Sequence, residues 1–125
     1  MTKSIMIVDD NSELVSLYSI MFERQGYRVL KAMNGASALQ ILEDSAPDLF
    51  ILDIMMPEIN GIELCRRIRA LPQHEETPVI FLSAYSDTEI VEKTFAAGAN
   101  DFARKPIDLQ DLEAKVHKLL GSAET

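Results

Sequence analysis

Two hydrophobic patterns alternate along the chain: short apolar runs, and longer stretches whose apolar residues recur three or four positions apart. Ser4 to Val8 reads as a first strand. Asn11 suits the cap of a helix with Leu14, Leu17, Tyr18, Met21 and Phe22 at helical spacing, which Gly26 stops. Tyr27 to Ala32 predicts strand two, and Asn34-Gly35 opens a short helix with Ala38, Leu39 and Leu42 facing inward. Asp48 to Leu52 predicts strand three. Asn60 caps a helix running to about Leu71, where Leu71-Pro72 ends it. Pro78 to Ser83 predicts strand four. Asp87 then caps a helix with Ile90, Val91 and Phe95, stopped by Gly98. Asp101 to Arg104 is a short fifth strand, and a last helix carries Leu109, Leu112, Val116 and Leu119.

Regular alternation of strand and helix implies a parallel sheet with helices on both faces and right-handed crossovers. The runs at strands one, three and four are nearly continuous, as central strands require. Strand two carries Arg28 and Lys31, and strand five is short and polar, which suits edges. The expected fold is a flavodoxin-like (βα)5 three-layer sandwich: a five-stranded, doubly wound parallel sheet of order 2-1-3-4-5. Ligands of such sheets bind beyond the carboxyl ends of the strands, at the switch point between strands one and three.

Composition narrows the class. A chain of 125 residues, 47% hydrophobic, supports one domain with its own core. The lone Cys65 has no internal disulfide partner, no apolar run approaches the roughly 20 residues of a membrane span, and MTKSIMIVDD lacks the features of a signal peptide. A cytoplasmic location without membrane contact follows as the expectation. The net charge of −8 argues against direct binding of nucleic acid.

Charge becomes informative where it clusters. Asp9-Asp10 end strand one, Asp53 ends strand three, Ser83-Ala84 end strand four, and Lys105-Pro106 follow strand five. Any one of them alone reads as a cap, a turn residue or a solvated charge, but all fall on one rim. Three neighbouring carboxylates resist joint ionisation unless a cation intervenes, and an all-oxygen set with room for water favours Mg²⁺. Asp53 then has the chemistry of a carboxylate nucleophile toward phosphorus. Mg²⁺, Lys105, the Ser83 hydroxyl and the Ala84 N–H would stabilise the phosphoryl oxygens. Pro57 and Asn60-Gly61 turn the chain away after Asp53, which predicts an accessible carboxylate.

From about Ser4 to Leu120 the chain resembles the response-regulator receiver domain, the CheY-like phosphoacceptor of two-component signalling. The resemblance rests on the acidic pair in IMIVDD, on ILDIMMPEINGIEL, on PVIFLSA and on GANDFARKPID. It implies phosphorylation of Asp53, direct Mg²⁺ ligation by Asp10, Asp53 and the Met55 carbonyl, and contact from Asp9 through water. It implies Ser83 and Lys105 at the phosphoryl group, a cis Lys105-Pro106 bond, and Ser83 and Phe102 as the switch pair. The surface of helix four, strand five and helix five would change, and could also form a dimer. Met55 and Tyr85, two residues after Asp53 and Ser83, are expected to flank the phosphoryl group and set its lifetime. The chain would catalyse only phosphorylation and dephosphorylation of its own aspartate. A histidine kinase or phosphotransfer protein is the implied donor, contacting helix one, and a downstream output protein or domain the implied target. Residues 1–121 are assigned to the domain and 122–125 to a tail or truncated linker, so the chain is a stand-alone receiver or part of a longer one.

Three other readings fit less well. A dehalogenase-type phosphatase would want Asp where Met55 stands, and a nucleotide-binding module would want a glycine-rich loop where DDNSE lies. A pseudo-receiver used only for docking would lack part of the acid, hydroxyl and lysine set. Cys65 and the methionines read as packing residues. His74, His117 and the Glu75-Glu76 loop read as solvated.

Overall fold

The computed structural model describes residues 2–123. Strands and helices alternate as β1 (Ser4–Val8), α1 (Ser12–Arg24), β2 (Arg28–Ala32), α2 (Gly35–Ile41), β3 (Leu49–Asp53), α3 (Gly61–Arg69), β4 (Val79–Ser83), α4 (Thr88–Ala96), β5 (Asp101–Arg104) and α5 (Leu109–Leu120). The strands form one parallel sheet of order β2-β1-β3-β4-β5. All residues of β3 and β4 are buried, which is why their sequences are apolar on both alternating faces. Arg28, Lys31 and Arg104 are exposed on the edge strands, where charge is tolerated and deters pairing with another chain.

The period of two along each strand divides the core. Ile5, Ile7, Ile51, Ile80 and Leu82 pack under α1 and α5 with Phe22, Leu112 and Val116. Met6, Val8, Phe50, Leu52 and Phe81 pack under α2, α3 and α4 with Ala38, Leu64, Cys65 and Ile68. Asn11, Asn34, Asn60, Asp87 and Asp108 each accept a backbone N–H at the start of their helix, a stabilisation of about 1 kcal/mol apiece.

Two of the apolar residues assigned to the helices stay outside the core. Leu17 and Phe95 are each 46% exposed, while Ser19 and Thr94 lie buried beside them. The buried hydroxyls donate to the carbonyls of Val15 and Val91, so each helix satisfies a polar group within its own turn. Beyond Gly121, Ala123 is buried and its carbonyl accepts the Lys3 N–H at 2.8 Å. Glu124 and Thr125, the rest of the expected tail, lie outside the described residues.

His74 corrects the reading of a solvated side chain: it is 1% exposed. A short 3-10 turn, Pro72–His74, directs it against β3. Its Nδ1 lies 2.8 Å from Thr77 Oγ1 and its ring meets Phe50 edge to face at 5.1 Å. Arg69 pins the same region by donating to the carbonyls of His74, Thr77 and Gly98 at 2.9, 2.6 and 2.7 Å. Burial, then the charge of Arg69, lowers the His74 pKa below its ordinary 6.5, with Asp48 opposing. The unfolded chain therefore takes up this proton first, and stability is lost as pH falls below about 6.5 toward the lower folded value. The melting temperature of the wild type should fall relative to His74→Phe between pH 7.5 and 5.5. Parallel melting curves across that range would show that His74 has the same pKa in the folded and the unfolded chain.

Candidate functional site

Sheet register assembles the site. Val8 pairs with Leu52, so Asp9 and Asp53 emerge side by side from β1 and β3. Asp53 pairs with Leu82, which sets Ser83 beside it, and Ser83 pairs with Arg104, which brings Lys105 to the same rim. The chain leaves β1 toward β2 on one side and returns to β3 on the other, opening the crevice at this switch point.

Carboxylate oxygens of Asp9, Asp10 and Asp53 lie within 4.8 Å of one another. Lys105 Nζ stands between two of them, 2.6 Å from Asp9 Oδ2 and 3.5 Å from Asp53 Oδ1. Backbone N–H groups hold the same pair: Asn11 donates to Asp9 Oδ1 and Ile54 to Asp53 Oδ1, both at 2.9 Å. Asp10 is exposed and faces a cleft of about 240 Å³ that Glu58 also lines. Asp53 is only 7% exposed, so the carboxylate expected to be accessible is largely enclosed. Three clustered carboxylates with one ammonium retain excess negative charge, and their hard oxygen donors fit a divalent cation.

Burial foremost, then Asp9, raises the Asp53 pKa to about 6, against the opposing effects of Lys105 and the Ile54 N–H. For Lys105, burial acts to lower the pKa, but the Asp9 hydrogen bond and the charges of Asp53 and Asp9 outweigh it and raise the value. Tyr18 of α1 lies buried near this pair. Burial raises its phenol pKa, Lys105 opposes and Asp9 adds to the rise.

Ser83 is fully buried, and its hydroxyl accepts the Tyr85 N–H at 3.0 Å. Ala84, Tyr85 and Met55 are exposed on the rim. Phe102 is partly buried against the core cluster that contains Phe81. The Lys105-Pro106 bond is cis. Gly61 has a role that its reading as a helix start did not include. A Cβ there would lie 1.9 Å from the Asp53 carbonyl oxygen, so only glycine lets α3 begin against the end of β3. Asn60-Gly61 marked the turn, but the approach to Asp53 depends on the path of the intervening loop.

A family model for the response regulator receiver domain matches residues 5–117. The chain belongs to this family. Its receiver is 35% identical over 124 residues to the alkaline phosphatase synthesis transcriptional regulatory protein PhoP of Bacillus subtilis, covering 99% of the chain and 51% of PhoP. The chain spans about half the length of the first such relatives it matches. Among solved structures, chemotaxis protein CheY4 of Vibrio cholerae aligns with a TM-score of 0.92 at 26% identity, covering 96% of this receiver and 100% of that chain. The BeF3-activated receiver domain of DrrB, from Thermotoga maritima, aligns at 0.87 with 35% identity, covering 96% and 98%. CheY-like neighbours and the observed strand order agree on the doubly wound fold. No helix among the described residues is long and apolar enough to cross a membrane.

The raised Asp53 pKa carries a cost to the receiver. A folded value above the unfolded 3.8 means that stability falls as pH rises from about 4 to about 6, as the enclosed carboxylate ionises. In metal-free buffer, Asp53→Asn should raise the melting temperature more at pH 7.5 than at pH 4. An equal shift at both pH values would place the Asp53 titration at its unfolded value.

Proposed function

We propose that Asp53 of this receiver is the phosphoacceptor and that Mg²⁺ is its cofactor. The observation that carries this reading is the convergence of Asp9, Asp10 and Asp53 with Lys105 at the switch point of the sheet. An Asp53 oxygen forms the new bond to the donor's phosphorus as the bond from phosphorus to the donor's leaving atom breaks and its electron pair stays with the donor, while Lys105 moves from the carboxylate pair toward the phosphoryl oxygens. The Ser83 hydroxyl and the Ala84 N–H donate to those oxygens. Asp10, Asp53 and the Met55 carbonyl hold the cation directly, and Asp9, already engaged by Asn11 and Lys105, does so through water. When bound, Mg²⁺ supplies positive charge to the phosphoryl oxygens. The substrate is the chain's own aspartate, so the chemistry is that of a switch rather than of an enzyme with external turnover.

Ser83 must turn from the Tyr85 N–H to reach the phosphoryl group, and Phe102 then rotates toward the space it leaves. This shifts a two-state surface formed by α4, β5 and α5. That surface serves an output partner or a dimer, and α1 receives a histidine kinase or phosphotransfer protein. A cytoplasmic location is part of the same reading, as is a downstream output protein or domain, the latter because PhoP and the similar PhoB of Rhizobium meliloti are named transcriptional regulatory proteins. Residues 1–121 are taken as the functional unit. A docking role without phosphorylation is disfavoured because acid, hydroxyl and lysine are all present.

Intact mass after incubation with acetyl phosphate should show one phosphoryl adduct that requires both Mg²⁺ and Asp53. The adduct should vanish with chelator and in Asp53→Asn. Labelling that persists in Asp53→Asn would move the phosphoacceptor elsewhere. Met55 and Tyr85, at 55% and 53% exposure, stand where their bulk hinders an attacking water. Met55→Asn and Tyr85→Ala should each shorten the adduct lifetime several-fold in a decay assay, and unchanged decay in both would remove them as lifetime determinants.

A further inference from the structure

We propose that Tyr18 is a positioning residue for Lys105: its phenol oxygen accepts from the ammonium and steadies it as Lys105 passes from Asp9 and Asp53 to the phosphoryl group. The inference rests on Asp53 being the phosphoacceptor. Tyr18 and Lys105 face one groove of about 430 Å³ between α1 and the β5–α5 loop, whose lining also includes Leu14, Leu17, Ala84 and Ile107. A lysine ammonium has three N–H donors. Two carboxylates lie near that of Lys105, Asp9 at 2.6 Å and Asp53 at 3.5 Å. Apart from Lys105 itself, the Tyr18 phenol is the polar side chain of the groove lining.

Packing alone does not require a tyrosine here. Tyr18 is 3% exposed and belongs to the same apolar cluster as Phe22, Leu112 and Val116, where a hydrocarbon side chain would serve equally. A buried phenol ordinarily has a hydrogen-bond partner, yet this one makes no hydrogen bond to another described residue. The charges of Lys105 and Asp9 both act on it, and burial keeps it protonated at neutral pH. It therefore meets the ammonium as a neutral hydroxyl. That neutrality suits the transfer. Once the ammonium leaves Asp9, a wall of hydrocarbon alone would strand an N–H. Another carboxylate would hold Lys105 back from the phosphoryl oxygens. A phenol oxygen satisfies the remaining donor without a competing charge.

Tyr18→Phe removes the phenol oxygen and keeps the ring. The test follows phosphorylation by acetyl phosphate with Mg²⁺, by intact mass, in the wild type, Tyr18→Phe, Lys105→Ala and the double variant. Tyr18→Phe should lower the rate constant roughly three- to tenfold, the scale of one hydrogen bond. In the Lys105→Ala background it should have no effect, because the group it positions is gone. An unchanged rate in Tyr18→Phe, or an equal loss in both backgrounds, would overturn the proposal and leave Tyr18 a packing residue. A readout without turnover is the fluorine NMR spectrum of protein loaded with Mg²⁺ and beryllofluoride, an analogue of the phosphoryl group. A bound-fluorine resonance should shift in Tyr18→Phe, and this spectrum decides the matter where Lys105→Ala forms no adduct. Coincident spectra would overturn the proposal. No adduct from the wild type would strike the phosphoacceptor reading itself, whereas an unchanged rate in Tyr18→Phe would strike Tyr18 alone.

Discussion

Like-charge repulsion among Asp9, Asp10 and Asp53, held within 4.8 Å of one another at the carboxyl edge of the sheet, is the constraint around which this receiver is organised. Carboxylates that close, two of them nearly buried, are unfavourable as anions without a cation. Lys105 supplies one ammonium, and the N–H groups of Asn11 and Ile54 add fixed dipoles. The balance remains negative, and the Asp53 pKa of about 6 expresses first its burial and then this negative balance. A site that stores repulsion in this way offers hard oxygen donors that suit a divalent cation, and it makes Asp53 harder to ionise than a free carboxylate. The same stored repulsion lowers stability at neutral pH. It persists because the surrounding strands are fixed by a fully buried apolar core.

The two ends of the sheet divide the work. At the carboxyl end, register and the bare Cα of Gly61 set carboxylates, hydroxyl and ammonium together. At the amino end, Arg69 ties the end of α3 to the loops before β4 and β5, His74 fills the space beside Phe50, and Lys3 binds the carbonyl of Leu120. Hydrogen bonds from Arg69 and Lys3 to backbone carbonyls brace one end, while the other gathers the carboxylates. Strain follows the same division: Glu58, the non-glycine residue with positive φ among those described, lies in the loop beside Asp10.

Several of the uncovered apolar side chains border the site, while Ile20 and Phe95 are exposed elsewhere on α1 and α4. Leu17 borders the groove that ends at Lys105, and Met55 and Tyr85 stand on the rim. Exposed apolar area of this kind costs solubility and suits contact with a partner. Phe102 is intermediate, packed against the cluster beneath β4 but not fully enclosed.

Alternating apolar runs and capped helices made the strand order readable, because burial on both faces demands continuous hydrophobicity and edges tolerate Arg28, Lys31 and Arg104. The rim residues were readable for the same reason: a strand's carboxyl end fixes where Asp9, Asp53, Ser83 and Lys105 emerge. Helical periodicity did not reveal that Leu17 and Phe95 stay outside, since an apolar residue at the margin of a helix face is buried only if a neighbouring element covers it. The polarity of the His74-Glu75-Glu76 loop masked a buried imidazole, because its burial depends on Phe50, Thr77 and Arg69, which approach only once the chain has folded. The nearness of Gly61 to the Asp53 carbonyl and the apolar wall beside Lys105 are likewise distances between segments remote in sequence. Local patterning determined the elements, their order and the identity of the groups that gather on one rim. Tertiary packing alone decided their enclosure, their protonation and the surfaces left open around them, because desolvation and contact arise only between segments that the fold brings together.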